Sequence, residues 1–170
     1  MKKLLLFVSP LIFLVACSSS GGDSNPQPTV KSAEGVWEAD SYIMNLGDSV
    51  TLNALDSINQ VYLYCWGDTL WVLEIYKLDG YKTLSAGYMS YNDDQTMVNM
   101  QQELEREIEA GGHIVYEDSE IVNFGYEITK FTNTEIDLAL YATGGSEIIE
   151  FSKTSLTLPS FTLFKPTSID

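Results

Sequence analysis

Few residues of this chain have the types and spacing that chemistry demands. His113, the single histidine, stands near Glu117 and Asp118, and a histidine–carboxylate pair can act as a general base. No activated nucleophile is identifiable beside it, so a loop histidine at the start of a strand is the simpler reading. One histidine and Cys65 fall short of a common zinc set unless carboxylates complete it. Glu103 with Glu107, and Glu105 with Glu109, lie one helical turn apart, which could hold a hard cation weakly. No calcium-loop pattern accompanies them. Lys77 and Lys82 flank Asp79-Gly80 and could attract an anion, although an exposed hairpin tip is the better reading. The chain therefore reads as a non-enzyme, with no catalytic residue, metal site or cofactor expected.

The N-terminus is more specific. Lys2-Lys3 precede an apolar run from Leu4 to Ala16 that stops at Cys17. A basic start, a short apolar stretch and a small residue before the cut are the parts of a secretory signal. The run is roughly a dozen residues, too short for the ~20 that cross a bilayer as a helix. Leu14-Val15-Ala16-Cys17, followed by Ser18-Ser19-Ser20-Gly21-Gly22, resembles the lipobox of bacterial lipoproteins. That resemblance implies a signal peptide over 1–16 and a diacylglyceryl group on Cys17, usually with a third acyl chain. Two or more chains give stable membrane attachment, where one is marginal. Ser18 in place of Asp, by similarity to Gram-negative sorting, implies the outer membrane of the bacterial cell envelope, periplasmic or surface-facing. With Cys17 committed to lipid, Cys65 has no intrachain partner, and a lone thiol in an oxidising envelope is usually buried and inert.

The charge balance excludes one class of partner. The whole chain carries a formal net charge of −15. Loss of Lys2 and Lys3 with the signal makes the mature form more acidic still. Phosphate backbones are bound by clustered Lys and Arg, which are missing here, so nucleic acid is excluded as a partner. At 45% hydrophobic and 12% aromatic residues, the remainder has ample apolar surface for one core.

The elements that must position any site are β-strands. Residues 17–33 are a lipidated cysteine and a flexible Ser/Gly/Asn/Pro/Gln tether, and one domain follows over 34–170. Short runs rich in Val, Ile, Leu, Tyr and Thr alternate with the turn dipeptides Gly67-Asp68, Asp79-Gly80 and Gly144-Gly145. These predict strands over 36–45, 59–66, 69–78, 81–91, 120–130, 135–142, 147–153 and 160–165. The fold class is mainly β, an antiparallel meander that closes into a barrel of about eight strands. One segment has a different period: Met97, Met100, Leu104 and Ile108 recur at three and four residues with charges between them. That spacing predicts an amphipathic helix over 95–110, ended by Gly111-Gly112.

Turn length then fixes which side chains share a face. With two-residue turns at Gly67-Asp68 and Asp79-Gly80, Tyr64 opposes Trp71 and Trp71 opposes Tyr88. Tyr62, Trp66, Leu73, Ile75 and Leu84 join that face. The other carries Val61, Leu63, Cys65, Leu70, Val72, Tyr76 and Met89, interrupted by Glu74, Thr83 and Ser85. Neither face alternates as a solvated one would. One lines the barrel interior and the other meets the helix, a partner or a ligand. Ligand cavities are apolar with a few placed polar groups, so the Glu74 face suits the lumen. The candidate ligand-binding residues are Leu63, Leu70, Val72, Glu74, Tyr76 and Met89. The rings of Tyr64, Trp71 and Tyr88 form a candidate aromatic platform for a protein or glycan, unless the helix and first strand cover it.

Three further motifs carry a second resemblance. Gly35-Val36-Trp37 resembles the Gly-x-Trp that opens the first strand and closes the floor of lipocalin barrels. Residues 128–138, from Ile128 through the Thr132-Asn133-Thr134 turn to Leu138, resemble the late hairpin of the same group. Glu150-Phe151-Ser152-Lys153 resembles its closing strand. Together these are similar to the bacterial lipocalin-like lipoproteins, small barrels of the calycin group. The resemblance implies a small hydrophobic or amphipathic ligand held in the barrel, in a protein joined to the membrane through Cys17. The arginine that packs on the floor tryptophan in many lipocalins has no counterpart, which leaves Lys153 or Lys165 to replace it. The alternative function is an accessory lipoprotein, docking a protein or glycan through the aromatic face.

Overall fold

A computed structural model describes residues 31–46, 50–142 and 145–161. Its strands are β1 (Gly35–Leu46), β2 (Val50–Asn53), β3 (Ile58–Trp66), β4 (Leu70–Lys77), β5 (Lys82–Tyr91), β6 (Met97–Ile108), β7 (Ile114–Asp118), β8 (Val122–Phe131), β9 (Glu135–Ala142) and β10 (Gly145–Lys153), with a short 3-10 turn at Ala54–Asp56. The order β10-β9-β8-β6-β5-β4-β3-β1 is antiparallel throughout, and β10 pairs back onto β1. The sheet is thus a closed barrel of eight strands, which leaves no open edge in the ring. The short strands β2 and β7 lie off the ring, on the far halves of β1 and β6.

The meander follows the alternation in the sequence. On β3, Val61, Leu63 and Cys65 point inward and are buried, while Tyr62, Tyr64 and Trp66 between them point outward. The turns are longer than two residues, and this reorients one strand. Trp66 pairs with Leu70 across Gly67-Asp68-Thr69, and Tyr76 pairs with Lys82. Each hairpin is displaced by one residue from the two-residue register, and a one-residue slip turns every side chain of a strand to the opposite face. The two slips cancel between β3 and β5, so only β4 is reversed. Cys65 therefore opposes Trp71, and Trp71 opposes Gly87, all on the inner face. Leu70, Val72, Glu74 and Tyr76 lie on the outer face instead of the lumen.

The segment expected to be a helix over 95–110 is the twelve-residue strand β6. Its buried positions are Val98, Met100, Gln102, Leu104 and Arg106, a strict period of two. Gln102 and Arg106 are polar, so the apolar alternation is hidden, and Met97 completes a false helical spacing. Ladder bonds to β5 on one side, and to β8 and then β7 on the other, favour the strand. A bulge supplies the change of face: Gly87 pairs with Gln102 while Ala86 pairs with Leu104, leaving Glu103 as the extra residue. Val98, Met100 and Gln102 face the lumen before it; Leu104, Arg106 and Ile108 face outward after it. Of the strand expected over 160–165, residues 160 and 161 are not extended in a sheet, and the rest lies outside the described residues.

Two apolar clusters result. The larger fills the barrel with side chains from every ring strand, among them Trp37, Leu63, Trp71, Met89, Met100, Leu138 and Phe151. The smaller lies outside on β4, β5 and β6, where Val72, Leu84, Ala86 and Leu104 pack under Tyr64, Trp66, Ile108 and Phe161. The chain after β10 reaches this second cluster. The Thr154 N–H donates to the Val36 carbonyl at 2.8 Å, and the Trp66 indole donates to the Pro159 carbonyl at 2.9 Å.

Candidate functional site

The two ends of the lumen differ. At the end where β1 starts, the floor is solid. Trp37 is fully buried and Phe151 and Cys65 nearly so. The Trp37 indole donates to the Ala33 carbonyl at 2.7 Å, and the Ala33 N–H donates to Asp68 Oδ1 at 2.9 Å. Residues leading into β1 thereby plug the floor. Lys153 lies across Trp37 with Nζ 5.1 Å from the ring centroid, and donates to the Glu34 carbonyl at 2.6 Å. Gly35 makes room for that lysine: a Cβ there would meet Lys153 Cε at 2.5 Å, and its φ of +145° disfavours other residues. The void left among Leu63, Met89, Met100, Phe131 and their neighbours is about 20 Å³, room for roughly one water. Burial pushes the Cys65 thiol up, with Asp68 adding to it and Lys153 offsetting part, so it is an inert core group.

The opposite half is different in chemistry and access. Met44, Leu73, Phe124 and Tyr126 pack against the inner cluster, yet each is only partly buried. Pairing places Glu147 on the same inward face, opposite Met44 on β1 and Leu140 on β9. The Tyr126 hydroxyl donates to Glu147 Oε1 at 3.4 Å, and Tyr42 also hydrogen-bonds this carboxylate. Burial holds the Glu147 carboxyl above the usual carboxylate range, while the two hydroxyls oppose that by bonding the charged form. Both tyrosines are pushed up, by burial first and then by the Glu147 charge. Gln102, buried on β6, adds an amide that reaches Glu105 at 3.4 Å. The mouth is therefore an aromatic and aliphatic cup with Glu147 turned inward and Glu105 on its wall, beside the inward Gln102 amide.

Of the lumen residues expected from sequence, Leu63 and Met89 do line the interior, in its floor half. Leu70, Val72, Glu74 and Tyr76 belong to the outer face. Glu74 is buried there without entering the barrel; it accepts from Tyr64 at 3.1 Å, Tyr76 at 2.8 Å and Lys82 at 2.7 Å. The expected platform is divided: Trp71 is inside, donating its indole N–H to the Tyr88 carbonyl at 2.9 Å, while Tyr88 is half exposed outside. Outward rings do gather, but from other residues. Tyr62 and Tyr76 meet edge to face at 6.0 Å, and Tyr64 stacks on Trp66 at 6.1 Å. Tyr42, Tyr126 and Glu147 had one faint sequence signal. Glu147 alternates in phase with Ile149 and Phe151, a carboxylate on the apolar side of a strand.

The remaining candidates are dispersed. His113 is exposed in the β6–β7 loop. Lys77 pairs with Glu107 at 2.6 Å and Lys82 with Glu74 at 2.7 Å, so the two lysines do not form an anion site. Among the described residues, no group of three or more His, Cys, Asp and Glu could hold a metal ion, and no helix is long and apolar enough to cross a membrane. Cys17 and most of the tether lie outside the described residues. No protein-family model and no curated protein sequence matches this chain.

Proposed function

We propose that this chain is a lipid-anchored, lipocalin-like lipoprotein of the bacterial cell envelope that binds a small hydrophobic or amphipathic molecule in its barrel. The observation that carries this reading is the contrast within one lumen. The floor half is filled, whereas Met44, Leu73, Phe124, Tyr126 and Glu147 face inward at the other end and remain partly accessible. Inward apolar surface left uncovered has a cost in water, and a ligand that covers it removes that cost. The Gly35–Trp37 floor with Lys153 across it supports the likeness to lipocalins, and the sequence around Cys17 supports the anchor. The chain enters the barrel at the floor, the end opposite the open mouth.

The test is native mass spectrometry of the full chain, released from nanodiscs after exposure to envelope lipid and glycan extracts. A discrete retained mass, lost when Phe124 and Leu73 are enlarged or made polar, is expected. A bare protein mass across all extracts would overturn lumen binding. A second reading would then hold, in which the outward rings of Tyr62, Tyr64 and Tyr76 dock a protein or glycan without enzymatic activity.

A further inference from the structure

The cup has a charge that none of the described residues neutralises. Glu147 points into the lumen, and among the described residues only the hydroxyls of Tyr42 and Tyr126 bond it. Every lysine and arginine of the described residues is engaged elsewhere. Lys77 pairs with Glu107, Lys82 with Glu74, Arg106 with Glu117 and Lys130 with Glu135. Lys31 and Lys153 lie at the floor, over Phe131 and Trp37. The other charged groups toward the mouth are Glu105 and the Lys77–Glu107 pair on the rim, which add no net positive charge. A half-buried carboxylate without a counter-cation is costly, and the whole chain is strongly acidic.

Around that carboxylate the walls are aromatic. The Phe124 and Tyr126 rings lie 6.4 Å apart at 42°, and Tyr42 stands on β1, the strand paired with Glu147's β10. An ammonium group is attracted both to a carboxylate and to the faces of such rings. An anionic head would meet Glu147 with no cation to balance it. Resting on the lumen reading above, we infer that the ligand is an amphiphile of net positive charge, its ammonium held by Glu147 between the Tyr42 and Tyr126 rings and its alkyl part directed toward Leu73 and Met44. A zwitterionic headgroup fits less well, because its phosphate finds no free cation among the described residues of the cup.

The experiment is calorimetric titration of the full chain in phosphatidylcholine nanodiscs, with empty nanodiscs subtracted. The probes are hexylamine, hexanol, hexanoate and dihexanoylphosphatidylethanolamine. Hexylamine is expected to bind about tenfold tighter than hexanol, the order of a partly desolvated charge-assisted contact with aromatic walls. Hexanoate is expected to be weakest. Glu147→Gln should erase the preference for hexylamine over hexanol, and Tyr126→Phe should reduce it partly. Equal binding of hexylamine and hexanol, or tighter binding of the zwitterionic lipid, would overturn the ammonium assignment and leave lumen binding intact. If no probe binds, both the assignment and the lumen reading fail.

Discussion

Glu147 is the residue whose environment has the clearest physical consequence. Its carboxyl is held above the usual range because burial removes water from the charged form. The folded state consequently keeps the proton to a higher pH than the unfolded chain does. Stability therefore falls as pH rises from the ordinary carboxylate range through the raised value. Glu147→Gln cannot ionise, so its denaturation midpoint should lack this decline and, above the raised value, equal or exceed that of the parent. Urea midpoints taken across the acidic range for both proteins check this. A parent and variant with parallel pH profiles would mean that Glu147 is solvated in the free protein. The same residue shows why the cup was hard to see in the sequence. Tyr126 and Glu147 are brought together by the β8–β9–β10 meander, and Tyr42, about a hundred residues earlier in the chain, joins them only when β10 closes onto β1.

At the scale of elements, the bulge between β5 and β6 decides which face each half of β6 presents. Gly87 sits opposite it with no spare room: a Cβ there would lie 1.8 Å from the Gln101 carbonyl oxygen. Gly87→Ala must push two backbones apart in the middle of a ladder. A loss of roughly 2–4 kcal/mol is expected, in the range of severe backbone and overpacking changes. Thermal or urea unfolding measures it, and a loss below about 0.5 kcal/mol, the range of ordinary surface changes, would mean that the bulge is not fixed by Gly87. This element also marks the limit of what periodicity reveals. The alternation of Val61, Leu63 and Cys65 placed β3 correctly, and the Gly- and Asp-containing turns located the first hairpins. Turn length was not legible, because Gly67-Asp68 is compatible with a loop of either two or three residues. One added residue was enough to reverse β4 and send Val72 and Glu74 outside. For β6, the buried Gln102 and Arg106 carry the strand period without hydrophobicity, so the apolar residues left visible matched a helix.

For the whole molecule, the direction of the barrel follows from where the chain enters it. The Lys31 backbone and the Gln95 side chain exchange two hydrogen bonds, of 3.0 and 2.9 Å, and Ala33 is bonded to Asp68. The N-terminal side is thereby fixed to the floor loops. A Gly/Ser-type linker as long as residues 18–30 would have a root-mean-square reach of about 20 Å. Strands of twelve residues, as in β1 and β6, extend about 40 Å and at barrel tilt stand about 30 Å tall. With lipid on Cys17, the floor should face the membrane and the cup should face away from it. Single fluorophores on Asp93→Cys, in the floor loop before β6, and on Asp79→Cys, in the opposite turn before β5, test it in nanodiscs carrying a headgroup quencher. The buried Cys65 thiol should not compete for the label. Stronger quenching at position 93 than at 79 is expected. Equal quenching would mean that the barrel tumbles freely on its tether, and the reverse order would turn the mouth toward the membrane and make the bilayer itself the source of the ligand.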